Sequence, residues 1–456
     1  MNVHQLMLAY GSGLPPYPSI DTYYDSVSLL LHGEGTSGGT VFTDNSPRPL
    51  TPSVIGSGAT TSTSAFKMGA SSIALNGSAA LVQYAHKEEL SPKGDFTVEA
   101  WVYFTVAPTS IKVILWKSIS SGYSPFVLSV ASTAKFQGTV YDTALSSYAT
   151  GPGTTSIVAN TWYHVALTRS GNTVTLWVNG VAEATVTVTS GNENYYNNTH
   201  PLVIGNTTDT LYPMGASLAY IDEVRITSGW ARYTTNFSVP TSPYPDSSPY
   251  TARVLMEFEG TNGSTTFTDT GSAATTWTRA GSETITTATV LDQTSSLAIV
   301  SGGASYLAGA ANASNRLPAN NDWYIRFRAQ ASDWHGTSSN GSYILSLQDA
   351  ATTAANMQMF LFVSSSNLAY IYLSDGTNRT GYGGTNSIPT GANVLFEVRR
   401  IGNTVVFKIN GRSFASTAFT GSLPQPASID WRIGAALTGN TSQVNGMTFD
   451  HLGIFF

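Results

Sequence analysis

The chain has 456 residues, a net charge of −6 and no cysteine, so disulfides and thiolate metal sites are excluded. No cluster of Lys and Arg is present to neutralise phosphates, which argues against nucleic acid as a partner. No stretch approaches the ~18 apolar residues of a membrane helix, so no membrane insertion is expected. Charged residues make up only 11% of the chain, and Ser, Thr, Asn and Gly take their place. That mixture suits many short strands joined by turns, with hydroxyl-rich outer faces.

Residues 1–24 read as an extended N-terminal arm. Its Pro residues each remove a donor and push their predecessors to extended angles. The first residues lack a basic start followed by a long apolar run, so no signal peptide is expected. A first domain is then expected over 25–238, a Pro-rich spacer over 239–250, and a second domain over 251–456. The two domains are copies. Leu30 to Asp44 shares Glu34, Gly35, Thr36, Phe42 and Asp44 with Glu259, Gly260, Thr261, Phe267 and Asp269. Asn160 to Gly180 reads NTWYHVALTRSGNTVTLWVNG, and Ala392 to Gly411 reads ANVLFEVRRIGNTVVFKING. Further matches keep their order through Asp222 and Asp450, so the chain is a tandem duplication.

Each copy shows short alternating runs and almost no helical periodicity, His86–Leu90 being the one expected helical turn. The fold class is therefore all-β: two tandem antiparallel jelly-roll sandwiches behind a short arm. The last strand, Asp450 to Phe456, is expected inside a sheet.

Comparing copies separates the faces. In copy two Trp323, Ile325 and Phe327 alternate with Tyr324, Arg326 and Arg328, which makes the first set inward. Phe96, Val98 and Ala100 are inward by analogy, as are Tyr163, Val165 and Leu167. The outward face of copy one then carries Glu99, Trp101, Tyr103, Trp162, His164 and Trp177. Copy two places charge there. Such a face calls for a cover: loops of the same domain, a stacked sugar, or another subunit. Two polar-aromatic loops could also stack on a saccharide, one with Tyr195 and Tyr196, the other with Trp334 and His335.

No catalytic constellation appears. Gly35-Thr-Ser37-Gly-Gly39 has the spacing of a nucleophile elbow but lacks its strand-to-helix context, so a turn is expected. Asp222 and Glu223 are adjacent on one strand and point to opposite faces, so they cannot flank one sugar. Asp222 falls on the inward parity with Val224 and Ile226, as an acceptor for backbone donors or a Ca²⁺ ligand. No cofactor is expected, and no motif secures Ca²⁺.

The blocks FTVEAW (96–101), NTWYHVALTRSGNTVTLWVNG (160–180), LVIG (202–205) and YIDEVRIT (220–227) resemble laminin-G-like, or concanavalin A-like, lectin/glucanase domains. The resemblance covers copy one and, through its hairpin, copy two. Residues 23–47 and 221–245 are similar to the version of this domain found in tailed-bacteriophage virion proteins. The resemblance implies a non-enzymatic virion component of tail, fibre or capsid surface, assembled in the host cytoplasm. It also implies contact with host cell-surface glycan; homo-oligomer formation and attachment to other virion proteins through residues 1–24 are expected beside it. A purely structural decoration or tail subunit is the alternative, and a glycan hydrolase a third reading.

Overall fold

The computed structural model describes residues 20–456 apart from 119–122, 190–197, 300–304, 335–340, 349–352, 427–428 and 436–445. Most of the expected arm, together with Tyr195, Tyr196 and His335, therefore lies outside the described residues. The chain divides at Pro249/Tyr250 into two compact units.

In the first unit the strands run β1 (Val27–Leu31), β2 (Val54–Ile55), β3 (Ala59–Ser62), β4 (Ser72–Leu75) and β5 (Val82–Tyr84). They continue with β6 (Phe96–Phe104), β7 (Lys112–Lys117), β8 (Val127–Val130), β9 (Lys135–Tyr141) and β10 (Ser147–Ser156). β11 (Trp162–Ser170), β12 (Thr173–Val178), β13 (Val181–Thr187), β14 (Leu202–Ile204) and β15 (Ala219–Ser228) complete it. The second unit opens with β16 (Ala252–Met256), β17 (Trp277–Arg279), β18 (Thr284–Thr286), β19 (Ser296–Ile299) and β20 (Leu307–Ala311). Then come β21 (Trp323–Gln330), β22 (Ser342–Gln348), β23 (Met357–Val363), β24 (Leu368–Ser374) and β25 (Arg379–Ser387). It closes with β26 (Val394–Ile401), β27 (Thr404–Ile409), β28 (Arg412–Ala418), β29 (Ile429–Ile433) and β30 (Met447–Phe455). No α-helix occurs among the described residues, and the expected turn at His86–Leu90 is a 3₁₀ turn at Glu88–Leu90.

Each unit is two antiparallel sheets, and the duplication is complete at the level of topology. One sheet of the first unit has the order β13-β12-β11-β6-β15-β4-β3, with β1 also on β15. Its counterpart is β28-β27-β26-β21-β30-β19-β18, with β16 on β30. The other sheets, β10-β9-β8-β7-β14-β5-β2 and β25-β24-β23-β22-β29-β20-β17, correspond in the same way. As expected, the last strand is interior, between β21 and β19.

The recurring residues are those that turn the chain. Gly171 and Gly402, at φ +58° and +57°, open the two-residue loops between β11 and β12 and between β26 and β27. Gly in the first central position is what a type II′ hairpin turn requires. The next loops are Asn179-Gly180 and Asn410-Gly411, with all four residues at positive φ. This is the Asn-Gly signature of a type I′ turn. Asn179 Oδ1 accepts from the His164 amide at 3.0 Å, and Asn410 Oδ1 accepts from the Leu395 amide at 2.8 Å. Asp95 and Asp322 likewise accept from the amides of Gly171 and Gly402.

The inward sets are as expected. Phe96, Val98, Ala100, Tyr163, Val165 and Leu167 join one core. Trp323, Ile325, Phe327, Val394, Phe396 and Val398 join the other. Burying one such side chain is worth about 1.5–3 kcal/mol, so these stripes dominate the stability of each sandwich.

Asp222 departs from its expected parity. Asp222 pairs with Trp101 and Arg225 with Glu99, so two residues of β15 oppose one of β6. Glu223 absorbs the extra residue in a bulge at φ +50°. Ile221, Val224 and Ile226 face the core, and Asp222 is carried to the outer face with Trp101. Copy two repeats the bulge at His451, φ +52°, with Arg328 opposite Asp450 and Arg326 opposite Gly453.

The segment 239–250, expected as a spacer, folds onto the first unit. The Tyr244 amide donates to Glu223 Oε2 at 2.7 Å and Ser248 Oγ donates to Asp25 Oδ2 at 2.7 Å. Tyr244 supplies the reason, because its ring packs on Val27 and Leu30 and leaves water.

Candidate functional site

The outer aromatic face of the first unit is covered by its own chain. A strap following β15 runs across it from Gly229. The Arg232 amide donates to Thr97 Oγ1, the Phe237 amide to the Gly180 carbonyl, and the Ala182 amide to Asn236 Oδ1. Tyr233 and Phe237 stack at 3.5 Å and meet His164 and Trp177 edge-on. Glu99, Trp101, His164 and Trp177 are consequently buried. Of the three covers the sequence allowed, the domain's own loop occupies this face.

Beneath the strap lies an ion network. Glu99 Oε1 accepts from Arg225 Nε at 2.8 Å, and Oε2 accepts from the hydroxyls of Tyr233 and Tyr244. His164 Nε2 lies 3.2 Å from Glu99 and 2.9 Å from the Tyr244 hydroxyl. Arg232 holds Asp21 at 2.7 Å, and Arg225 stacks on the Tyr244 ring at 3.7 Å. Burial alone would raise the Glu99 carboxyl, but Arg225, His164 and Arg232 hold it well below the ordinary carboxylate range. Both Glu99 oxygens are engaged and the network is closed off from solvent, while His164 Nδ1 is buried without a hydrogen-bond partner among the described residues.

Tyr103 and Trp162 sit at the edge of the strap and stay half-buried, their rings 5.3 Å apart. Trp334 is not on an open loop. It is fully buried against Phe396, and its Nε1 donates to the Pro389 carbonyl at 2.7 Å. Asp222 does not fit a Ca²⁺ ligand. Its Oδ2 accepts from the amides of Lys67 and Met68 and its Oδ1 from the Glu223 amide. Those amide hydrogens stand where a cation would bind. No cluster of three or more potential metal-binding side chains occurs among the described residues. The stretch around Ser37 is a turn, with the Gly39 amide bonded to the Thr36 carbonyl.

An open aromatic surface exists elsewhere, on the outer face of the β22-β23-β24-β25 sheet. Phe360 faces Tyr372 across the ladder, and Phe362 faces Tyr370. On the other side Phe362 is paired with Tyr343. Met359, Leu361, Ala369 and Ile371, the alternate residues, are in the core. The five outward rings form a continuous array. Phe360 and Tyr372 stack at 4.6 Å, Tyr343 lies 5.1 and 5.3 Å from Phe360 and Phe362, and Tyr370 lies 6.4 Å from Phe362. All but Phe360 are half-buried, so ring surface remains open to solvent.

Tyr343, Phe360, Phe362, Tyr372 and Arg379 line a groove of about 290 Å³. Glycine makes it possible. A Cβ on Gly381 would come within 2.6 Å of the Tyr372 ring, and one on Gly384 within 2.3 Å of the Tyr370 ring. The rings therefore lie flat on bare backbone of β25. Burial raises the Tyr343 hydroxyl above its ordinary range, against the opposing charge of Arg379. Sequence comparison on the hairpin sheet alone missed this face. The signal was present in the alternation of Phe360/Phe362 and Tyr370/Tyr372 along two adjacent strands.

Residues 76–231 match a laminin G family model described as the concanavalin A-like lectin/glucanases superfamily. The match spans β5 to β15, about a third of the chain. Over these residues the first unit is similar to domains of this superfamily. Domain 4 of an extracellular arabinanase from Geobacillus stearothermophilus, solved with arabinotriose, is similar at 11% identity and a TM-score of 0.34. That likeness covers 45% of this chain and 92% of the other. The LG1-3 region of the laminin alpha2 chain is similar at 11% identity, covering 82% of this chain and 64% of that one, with a TM-score of 0.27. The binding domain of botulinum neurotoxin serotype D is similar at 11% identity, covering 76% and 87%, with a TM-score of 0.33. No curated protein matches the sequence.

Proposed function

We propose that this protein is a non-catalytic binding protein that holds carbohydrate in the aromatic groove of its second unit. The observation that carries the reading is the groove itself. Clustered rings, one stacked pair and the rest edge-to-face or tilted, partly open to solvent and fixed by the sheet, offer apolar area at little entropy cost, which suits the C–H faces of sugars. Tyr343 and Tyr372 add hydroxyls at the groove for hydrogen bonding. The position of the acids supports binding over hydrolysis. Glu99 is sealed under the strap, Asp222 is occupied by amides, and no carboxylate is among the described residues lining the groove.

In the wider setting, the protein serves as a tail, fibre or capsid-surface component of a bacteriophage virion that engages host cell-surface glycan. This part rests on the resemblance of residues 23–47 and 221–245. Residues 1–24 then provide attachment and homo-oligomer assembly. A glycan array probed with the full chain and with Phe362→Ala tests the binding role. Signals lost in the variant at unchanged oligomeric mass support it. No array signal, together with loss of assembly in Phe362→Ala, would assign the groove to a subunit interface and the protein to a structural role.

A further inference from the structure

We infer that the groove selects an acidic saccharide, one carrying carboxylate groups, with Arg379 as the residue that reads the charge. The inference rests on the carbohydrate reading above and adds the ligand's charge to it.

Three observations converge. Arg379 lines the groove and is exposed, at the start of β25 beside the aromatic array. Its side chain has no hydrogen-bond or ion-pair partner among the described residues, unlike the buried guanidinium groups of Arg225 and Arg232. The nearby turn carboxylate, Asp375, is engaged by the amides of Thr377 and Asn378 at 2.8 and 2.6 Å. Its Oδ1 is directed into its own turn, and the same bonds hold its carboxyl below the ordinary range.

A free guanidinium presents a planar fork of donors that matches a carboxylate in two parallel bonds. Placed next to rings that take the sugar's apolar face, it fixes both the plane and the charged edge of one residue. The chain as a whole is negative, −6, so long-range attraction does not draw an anion in. Selection must come from the local contact, and it will weaken as salt rises.

The test uses the full chain and calorimetric titration with matched probes. Oligogalacturonate and its methyl-esterified form share a sugar backbone and differ in charge. Sialyllactose and lactose form a second pair, which separates uronate from sialate as the source of the carboxylate. The expected result is that one acidic probe binds at least about tenfold tighter than its neutral partner, as a charge-assisted bidentate contact would give. Arg379→Gln should bring the two members of that pair to near-equal affinity. Because Arg379 is exposed, the variant should keep the wild-type circular dichroism and melting temperature. Equal binding of acidic and neutral probes, or a preference that survives in Arg379→Gln, would overturn the inference and leave carbohydrate binding standing. If no acidic or neutral probe binds and a glycan array is also blank, the carbohydrate reading itself fails.

Discussion

The same two sheets appear twice in this chain, and their outer faces are decorated in opposite ways. On the hairpin sheet, the first unit has Glu99, Trp101, His164 and Trp177 under a strap. The second unit has Arg326, Arg328, Glu397, Arg399 and Lys408, all buried, with Tyr324 donating to Glu397 and Arg399 stacked on Tyr324. On the other sheet, Val127 faces Thr139 and Ser129 faces Gln137 in the first unit. The corresponding cross-strand pairs of the second unit are Phe360 with Tyr372 and Phe362 with Tyr370. Aromatic residues on an outer face thus have two meanings in one molecule. Where a segment of the same chain lies over them they build the fold, and where no strap covers them part of the ring surface stays open to solvent.

The largest expected effect separates these two meanings. Glu99→Gln should destabilise the first unit by up to about 3–5 kcal/mol, because it removes the nearer carboxylate of buried Arg225 and leaves it, among the described residues, only Asp21 at 3.4 Å. Denaturant unfolding of the full chain, read by hydrogen exchange on β6 and β15, measures it. The sign with pH follows from the lowered Glu99 carboxyl. Its stabilisation is present above the ordinary carboxylate value of 4.5 and is lost as pH falls below it. The acid limb of the stability profile should flatten in Glu99→Gln.

Phe237→Ala removes the ring that caps His164 and Trp177. Since Phe237 is only half-buried, the cost should be about 1–3 kcal/mol, below that of a core phenylalanine. Acrylamide quenching of tryptophan fluorescence should rise, while saccharide binding at the second unit stays unchanged.

Asn179→Ala and Asn410→Ala test the equivalence of the copies. Each loses a side-chain acceptor and places alanine at positive φ, for about 1–2 kcal/mol. Each loss should appear in its own unit, read by hydrogen exchange on β12 or β27. The smallest effect on stability is expected from Gly381→Ala, whose methyl would displace the Tyr372 ring. It should reduce saccharide affinity severalfold in calorimetry, with little change in melting temperature.

Much of the architecture was legible because the duplication gave two readings of each strand. The inward sets of β6, β11, β21 and β26 follow because both copies keep those positions apolar while the outer positions change from aromatic to charged. The parity of Asp222 did not follow, because simple alternation assumes no bulge. The spacing of Ile221 to Val224, and of Phe449 to Leu452, is odd by one residue, and that is the trace the bulge leaves in sequence. The strap was foreseen as one possible cover, yet nothing in a linear reading places Tyr233, Phe237 and Tyr244 over residues far back in the chain. The groove escaped for a different reason. β23 and β24 are apolar on both faces, so composition alone does not say which ring is buried.

The most direct test of the account is a titration of saccharide into the full chain, wild type against Tyr372→Ala and Trp162→Ala. The account predicts that Tyr372→Ala abolishes binding and that Trp162→Ala leaves it intact. The reverse pattern, binding lost in Trp162→Ala and kept in Tyr372→Ala, would contradict it and move the site to the edge of the first unit's strap.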